Sequence, residues 1–313
     1  MKVLANDGIS PSGIAAIAAG GHELITTKVA QEQLINYINE HNVEVVLVRS
    51  ATTVRKDLID ACPSLKGIGR GGVCMDNIDV DYAREKGLIV FNTPAASSDS
   101  VAELVMGHMR GLVRFLHDSN REMPLDGDTK FSILKKAYAK GLELRGRTLG
   151  IVGFGRIGQA LAKLAVGAGM NVIFSDIHDK DMDIELSLFD GQKVKFTCKN
   201  VGFNKVLKQS DFISVHVPGG DLIGSNEIAK MKDGVFLLNA ARGGVINEQA
   251  LLDALESNKV AGAALDVFTK EPTPAIKLLM NGKISLTPHI GAATLEAQDR
   301  IGTELAAHID ALA

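Results

Sequence analysis

The sequence has few cysteines and no long run of like-charged residues. Its three cysteines, Cys62, Cys74 and Cys198, show no Cys-x-x-Cys spacing and no neighbouring histidine cluster. This argues against a metal site or a disulfide framework and fits a reducing compartment. The formal net charge is -3 over 313 residues, without a long basic or acidic block. Neither nucleic acid nor an anionic membrane surface is therefore indicated as a partner, and a small-molecule substrate fits better.

Signals for export or membrane insertion are also missing. No apolar stretch reaches 18 residues, and polar residues interrupt the segment Met1 to Asp7 too early for a signal peptide. We therefore expect a cytoplasmic protein without a membrane partner. A chain of 313 residues exceeds the usual size of a single core, which predicts two domains.

Strand and helix patterns alternate along the whole chain and predict an α/β protein with doubly wound parallel sheets. Ligands bind beyond the carboxyl ends of such strands, so the loops Arg49 to Thr52 and Gly69 to Val73 matter most in the first part. A capping box from Ser100 to Glu103 predicts one long helix to about Arg121. The charged, aperiodic segment 177–200 predicts a surface excursion.

A glycine-rich turn stands between an apolar run and a helix-patterned segment. Gly153, Gly155 and Gly158 match GxGxxG, which allows a tight turn, close approach of a pyrophosphate and close helix packing. Asp176 ends the next predicted strand, where a carboxylate can bind an adenosine ribose. Because no arginine follows at Ile177 or His178 to bind a 2′-phosphate, NAD is favoured. The alternative is a surface aspartate that caps a loop.

Three polar residues follow successive predicted strands near the end of the chain: Arg242, Glu271 and His289. A cation suits a carboxylate substrate, and a histidine suits proton transfer at a hydroxyl. A carboxylate beside that histidine would fix its tautomer. Taken singly, each residue also fits a structural role: an arginine in a loop, a solvated glutamate, and a histidine held by Pro288.

Several segments together resemble the D-2-hydroxyacid dehydrogenase family. These are Asn239 to Ile246, Asp266 to Phe268 with Glu271-Pro272, Thr287 to Ala292, and the cofactor segment Leu142 to Gly158. The resemblance implies a Rossmann nucleotide-binding domain inserted into a flavodoxin-like substrate domain. The implied boundaries are 99–290 for the nucleotide-binding domain and 1–98 with 291–313 for the substrate domain.

The same resemblance implies a role for each matching residue. His289 would take the hydroxyl proton while the C2 hydride passes to nicotinamide, Glu271 would orient His289, and Arg242 would bind the substrate carboxylate. Asp266 would face the nicotinamide amide. The implied cofactor-binding residues are Gly153, Phe154, Gly155, Arg156, Ile157, Gly158, Asp176, His216, Val217, Pro218, Ala240, Ala241, Asp266 and Gly291. The implied substrate-binding residues are Arg49, Ser50, Arg70, Gly72 and Val73.

The loop Arg49 to Thr52 together with Arg70 is most similar to the D-3-phosphoglycerate dehydrogenase branch, in which two arginines could hold a phosphate. The expected reaction is oxidation of D-3-phosphoglycerate to 3-phosphohydroxypyruvate, the first step of serine biosynthesis. However, Gly71 to Asp76 departs from the Ala-Gly-Thr-Gly-Val-Asp usual in such enzymes. Another D-2-hydroxyacid dehydrogenase, such as a glyoxylate or hydroxypyruvate reductase, is therefore the alternative.

A different class of alternative is an NAD(H)-sensing, corepressor-like binding protein. The long helix from Ser100 resembles the dimer-forming element of the family, so we expect a homodimer. The C-terminal regulatory domain of many phosphoglycerate dehydrogenases has no counterpart here, so feedback control by serine through such a domain is not expected.

Overall fold

The strands form one five-stranded and one eight-stranded sheet. The computed structural model describes residues 1–313, which divide into two compact units. Met1–Ser100 with Ala292–Ala313 form the first unit, and Val101–Gly291 forms the second. Each sheet is built mainly from parallel pairs connected by helices, which confirms the predicted α/β class. No helix is long and apolar enough to span a membrane.

The first unit contains a fully parallel sheet of order β2-β1-β3-β4-β5, as in flavodoxin-like folds. Its strands are β1 (Lys2–Ala5), β2 (Glu23–Ile25), β3 (Val45–Val48), β4 (Gly67–Arg70) and β5 (Ile89–Asn92). Its helices are α1 (Pro11–Ala19), α2 (Leu34–His41), α3 (Lys56–Ala61), α4 (Val80–Glu85) and the C-terminal α13 (Leu295–Asp310), with a 3-10 turn at Gln31–Gln33. Because β3 and β4 are parallel neighbours, the residues at their carboxyl ends lie side by side.

Both faces of this sheet are covered, which explains why β3 is apolar at every position. Val45 and Leu47 belong to one buried cluster, and Val46 and Val48 belong to another. Successive side chains of a strand point to opposite faces, so the two clusters lie on the two sides of the sheet. The C-terminal α13 packs closely on α1, since a Cβ on Gly13 would lie only 2.7 Å from the Gly302 Cα.

The second unit carries the eight-stranded sheet, of order β13-β12-β11-β10-β6-β7-β9-β8. Its strands are β6 (Thr148–Val152), β7 (Asn171–Ser175), β8 (Met182–Ser187), β9 (Lys193–Asn200), β10 (Phe212–Val215), β11 (Val235–Asn239), β12 (Val260–Leu265) and β13 (Ile284–Leu286). Its helices are α5 (Ser98–Val113, beginning in the first unit), α6 (Leu116–Asp126), α7 (Phe131–Ala137), α8 (Arg156–Gly167), α9 (Phe203–Gln209), α10 (Ser225–Ala229), α11 (Glu248–Glu256) and α12 (Ile276–Leu279). The chain reverses direction across this sheet between β6 and β10, which is the topological switch point of a Rossmann fold.

One predicted element of this unit was wrong, and the prediction for another was incomplete. The expected long helix is divided into α5 and α6 because Phe115 adopts a left-handed φ of 54°, and α5 begins at Ser98 rather than after Ser100. Segment 177–200 is mostly exposed, as a surface excursion should be, but it has a regular structure that was not predicted. It forms the antiparallel hairpin β8–β9, and β9 pairs with β7. Its turn includes Gly191 at a φ of 84°. Ile184 is buried opposite Phe196, an apolar pair that the surrounding charges obscured in the sequence.

Candidate active site

The glycine turn after β6 has two kinds of glycine. A Cβ on Gly153, whose φ is 90°, would lie 2.6 Å from the His216 carbonyl oxygen, and one on Gly158 would lie 2.5 Å from the Gly153 carbonyl oxygen. A Cβ on Gly155 would meet nothing within 4 Å. Gly153 and Gly158 are therefore needed for packing, whereas Gly155 leaves open space at the start of α8. A helix N-terminus with such space suits a pyrophosphate.

Asp176 lies directly after β7 and closes one side of this turn. Its Oδ2 accepts a hydrogen bond from Phe154 N at 2.6 Å, and its Oδ1 accepts one from His178 N at 3.1 Å. The Phe154 ring is buried and stacks on Phe174 at a centroid distance of 3.8 Å. Phe154 therefore contributes only its backbone to the turn. Arg156 is exposed and Ile157 half-buried at the start of α8.

The segment after β10 lies on the other side of the turn. His216 N donates to Val152 O at 2.7 Å, and Val217 packs against Gly153. The His216 Nε2 is 2.8 Å from Ser214 Oγ, while its Nδ1 is buried without a hydrogen-bond partner. Burial lowers the pKa of His216 to about 4, so the ring is neutral at neutral pH. Pro218 follows in an exposed position.

Arg242 lies in a turn after β11 that one buried side chain organises. The Asn239 Oδ1 accepts from Ala241 N at 3.0 Å, and its Nδ2 donates to Arg242 O at 2.8 Å. Burial lowers the pKa of Arg242, and nearby Glu271 raises it. Gly243 packs on the Phe268 carbonyl, where a Cβ could not be accommodated. No sequence pattern predicted this structural role of Asn239. Ala240 is half-buried and Ala241 buried in the same turn.

His289 and Glu271 form a half-exposed pair. The His289 Nδ1 is 2.8 Å from Glu271 Oε2, and Glu271 Oε1 accepts from Phe268 N at 3.0 Å. Because an ionised carboxylate only accepts hydrogen bonds, Nδ1 carries the proton in the neutral ring. The Nε2 lone pair is then available to accept a proton from another molecule. The two residues were predicted to meet, and in the structure they do.

The loop that carries His289 is wrapped around the buried carboxylate of Asp266. Oδ1 of Asp266 accepts from Thr287 Oγ1 at 2.7 Å and from Ile290 N at 2.8 Å, and Oδ2 accepts from Gly291 N at 2.9 Å. His289 itself has a left-handed φ of 55°, a conformation that a non-glycine residue holds only when its surroundings impose it. Asp266 therefore anchors this loop, in addition to any contact with a cofactor.

Within the second unit, a chain of hydrogen bonds continues from Asp266 through Thr287 and Ser285 to the helices α5 and α6. The His108 Nε2 is 3.1 Å from Thr287 Oγ1, and its Nδ1 is 2.7 Å from Ser285 Oγ. Ser285 Oγ is also 2.7 Å from the Nε2 of His117. The sequence pattern predicts only that these two histidines lie on helix faces or at a subunit contact. Their meeting could not be read from sequence spacing, because α5, α6 and the β13 end come together only in the fold.

In the first unit, backbone contacts hold the loop after β3. The Asp7 Oδ2 accepts from Arg49 N at 2.6 Å and Thr52 N at 3.1 Å. Asn77 Nδ2 donates to Arg49 O and to Thr52 O at 2.6 Å each. The loop is thus held by its main chain, which leaves the Arg49 side chain to extend past Gly71. Ser50 is exposed.

Arg70 ends β4 rather than lying in the following loop, where we expected it. Its guanidinium packs against Gly72, whose φ of 140° and missing Cβ make room for it. The Gly72 amide donates to Thr93 Oγ1 at 2.8 Å. This amide is therefore engaged within the protein, and the use of the backbone amides near Gly72 and Val73 in substrate binding stays a prediction. Val73 is exposed.

Comparison with known proteins identifies the family. The family model described as "D-isomer specific 2-hydroxyacid dehydrogenase, NAD binding domain" matches residues 106–291. The chain belongs to the D-isomer specific 2-hydroxyacid dehydrogenase family. The matched range lies within the second unit, so this unit is the NAD-binding domain of the dehydrogenase and NAD is its cofactor. The open space at Gly155 and the carboxylate of Asp176 fit that cofactor.

Individual relatives within the family carry different names. The chain is 44% identical to a hydroxypyruvate reductase of Thermotoga maritima over 290 residues, which cover 90% of this chain and 88% of the relative. It is 39% identical to a D-3-phosphoglycerate dehydrogenase of Methanocaldococcus jannaschii over 313 residues, 99% of this chain but 57% of the relative. The chain thus spans little more than half the length of that relative. A solved glyoxylate reductase from Paecilomyes thermophila superposes with a TM-score of 0.81 at 31% identity, covering 98% of this chain and 93% of that one.

Proposed function

We propose that this dehydrogenase oxidises D-3-phosphoglycerate to 3-phosphohydroxypyruvate with NAD, in serine biosynthesis. The observation that carries the proposal is the pair of arginines at the carboxyl ends of the neighbouring strands β3 and β4, Arg49 and Arg70. A phosphate dianion suits two guanidinium groups, whose planar forks donate paired hydrogen bonds to its oxygens.

The acid–base chemistry is assigned to His289 and Glu271. The neutral His289 ring, with its Nδ1–H held by Glu271 at 2.8 Å, accepts the substrate hydroxyl proton at Nε2. The C2–H bond breaks as C2=O forms, and bound NAD supplies the hydride acceptor. In the reverse direction His289 returns the proton to the oxygen. Arg242 binds the substrate carboxylate, and its half-buried guanidinium strengthens that ion pair.

Hydroxypyruvate reduction is the second candidate, and the 44% identity with the hydroxypyruvate reductase of Thermotoga maritima favours it. The oxo acids of the two reactions, 3-phosphohydroxypyruvate and hydroxypyruvate, share the same three-carbon skeleton and differ only by the phosphate. The question is therefore whether the first unit recognises a phosphate.

A substrate panel separates these functions. NADH oxidation is measured with phosphohydroxypyruvate, hydroxypyruvate, glyoxylate and pyruvate for the wild-type protein, Arg49→Ala and Arg70→Ala. A hydrogen bond to a charged group contributes about 1.5–3 kcal/mol, so each variant should lose roughly 10- to 100-fold in kcat/KM for phosphohydroxypyruvate. The value for hydroxypyruvate should change less than about threefold.

Arg55→Ala is the matched control, because Arg55 is an exposed arginine of the same unit that pairs with Asp79 at 2.9 Å. This variant removes the same charge at a different place, so kcat/KM should stay unchanged for both phosphohydroxypyruvate and hydroxypyruvate. Equal losses for phosphorylated and unphosphorylated acids would refute the phosphate site. NADH binding without turnover of any of the four acids would instead favour the NAD(H)-sensing, corepressor-like protein.

We also propose that the protein is a homodimer. Exposed apolar side chains on α6 and α7, among them Leu125, Phe131 and Ile133, support this proposal. Light scattering of the purified chain measures its mass directly, and a monomer at micromolar concentration would contradict it. The cytoplasmic location also stays a proposal, supported by the sequence features described above.

A further inference from the structure

The chain of hydrogen bonds from His117 to Asp266 runs in one direction. Asp266 as a carboxylate only accepts, so Thr287 donates its hydroxyl proton to it. Thr287 Oγ1 must then accept from His108 Nε2–H, at 3.1 Å. A neutral imidazole has one N–H, so His108 Nδ1 accepts from Ser285. Ser285 in turn accepts from His117 Nε2–H.

This direction of the hydrogen bonds requires a neutral His108 ring, and the surroundings of His108 favour the neutral form. His108 and Ser285 are both buried, with exposed fractions of 5% and 4%. Burial lowers the pKa of His108, His117 lowers it as well, and only Asp266 raises it. The chain ends at an exposed imidazole, since His117 lies at the surface, on a groove that Ser285 also lines. Gly111 on α5 makes room for the His117 ring, because a Cβ there would lie 2.8 Å from its Nε2.

We infer that His108 is a positioning residue for the nicotinamide end of the cofactor, acting through Thr287 on the Asp266 carboxylate. The inference rests on the contact between Asp266 and the nicotinamide amide that the family resemblance implies. A carboxylate has about four acceptor sites. Three of those on Asp266 are filled by Thr287, Ile290 and Gly291, which leaves one on Oδ2. The hydrogen bond from the Thr287 hydroxyl fixes the plane of the Asp266 carboxylate. The hydrogen bond from His108 fixes the orientation of that hydroxyl.

Two substitutions of His108 separate its two hydrogen bonds. In His108→Gln the amide reaches the place of the ring Nε2 and keeps a donor for Thr287. In His108→Asn the amide stays near the place of Nδ1, so it keeps the link to Ser285 and leaves Thr287 without its donor. Both variants remove the ring and both keep a buried polar group. A general packing defect would therefore affect them alike.

The readout is the affinity for NAD compared with that for ADP-ribose, by titration calorimetry without substrate. ADP-ribose lacks the nicotinamide, so it binds at the glycine turn without a contact to Asp266. His108→Asn should bind NAD about 10-fold more weakly, which corresponds to about 1.4 kcal/mol, and ADP-ribose within about twofold of wild type. His108→Gln should stay within about threefold for both ligands. His117→Ala should change neither, because water replaces an exposed imidazole.

Unchanged NAD affinity in His108→Asn, or equal losses for NAD and ADP-ribose, would overturn the inference. If His108→Asn does not fold, Thr287→Val is used in its place, because it removes the hydroxyl that His108 orients at nearly constant volume. This variant must show the same selective loss of NAD affinity. Asp266→Ala separates the role of His108 from the contact between Asp266 and the nicotinamide amide. A selective loss in Asp266→Ala but not in His108→Asn refutes His108 alone, and no selective loss in Asp266→Ala refutes the cofactor contact as well. Substrate choice does not enter either titration, so failure of the phosphoglycerate proposal would be seen only in the substrate panel.

Discussion

Two loops of the second unit are built in opposite ways, although both follow parallel strands of the same sheet. The glycine turn, 153–158, is shaped by main-chain packing, since Gly153 packs against the His216 carbonyl oxygen and Gly158 against the Gly153 carbonyl oxygen, where a Cβ would collide. The His289 loop is shaped by a side chain from a different strand end, Asp266, which accepts three hydrogen bonds from it. At Gly153 and Gly158 the turn has no room for an added atom, whereas a side-chain anchor fails when one polar group is lost. Substitutions should therefore damage the two loops differently.

The largest effect is expected at the reacting end. His289→Ala removes the proton acceptor, and turnover should fall by about 10²- to 10⁴-fold while NAD affinity stays within a few fold. Glu271→Gln should cause a smaller loss, because the ring keeps a hydrogen-bonding neighbour but not a negative charge. Steady-state kinetics and titration with NAD measure both. Turnover of His289→Ala within threefold of wild type would remove His289 from the mechanism.

The second prediction concerns the glycine turn and uses two of its own residues as a matched pair. Gly153→Ala puts a Cβ 2.6 Å from the His216 carbonyl at a φ of 90°, and it should destabilise the protein by about 2–3 kcal/mol. Gly155→Ala meets nothing within 4 Å, so its free energy of unfolding should stay within about 0.5 kcal/mol of wild type. NAD should nevertheless bind more weakly to it, because the pyrophosphate approaches at this position.

Denaturant unfolding and NAD titration of both variants test this separation. Equal stability losses in the two variants would show that the turn is packed throughout rather than open at Gly155. Unchanged NAD affinity in Gly155→Ala would place the pyrophosphate elsewhere.

The smallest predicted effect is a pH dependence at the boundary of the glycine turn. Burial lowers the pKa of His216 from 6.5 to about 4, so the unfolded chain binds this proton more readily than the folded one. The stability that the neutral ring contributes is therefore present above pH 6.5 and is lost as the pH falls toward 4, by about 1–3 kcal/mol. The free energy of unfolding of His216→Asn should fall less over this range. Parallel curves of unfolding free energy against pH for the wild type and His216→Asn would contradict the role of His216, since the two proteins share all other titrating groups.

Residues whose neighbours lie nearby in sequence were the ones that could be predicted. The glycine spacing, the strand after it and Asp176 form one local unit, and the structure places the Asp176 carboxylate on the Phe154 amide of the turn. Its contact with a ribose stays a prediction. The pairing of His289 with Glu271 was also expected, although that expectation needed the family resemblance. By contrast, Phe115 ends a helix by a backbone angle that no sequence pattern announced, and the β8–β9 hairpin was hidden among charged residues.

The sequence by itself determined the α/β class, the family and the cofactor, because alternating periodicity and a glycine turn are local properties of the chain. Only the tertiary structure decided which polar groups meet: Asn239 with the Arg242 turn, Asp266 with the His289 loop, and His108 with Ser285 and Thr287. The physical reason is that a buried hydrogen-bonding group must find its partner wherever packing places one, and strand order decides that place. Gly153, Gly155 and Gly158 needed no distant partner to be recognised, whereas His108 acquired its place only when α5 packed beside the end of β13.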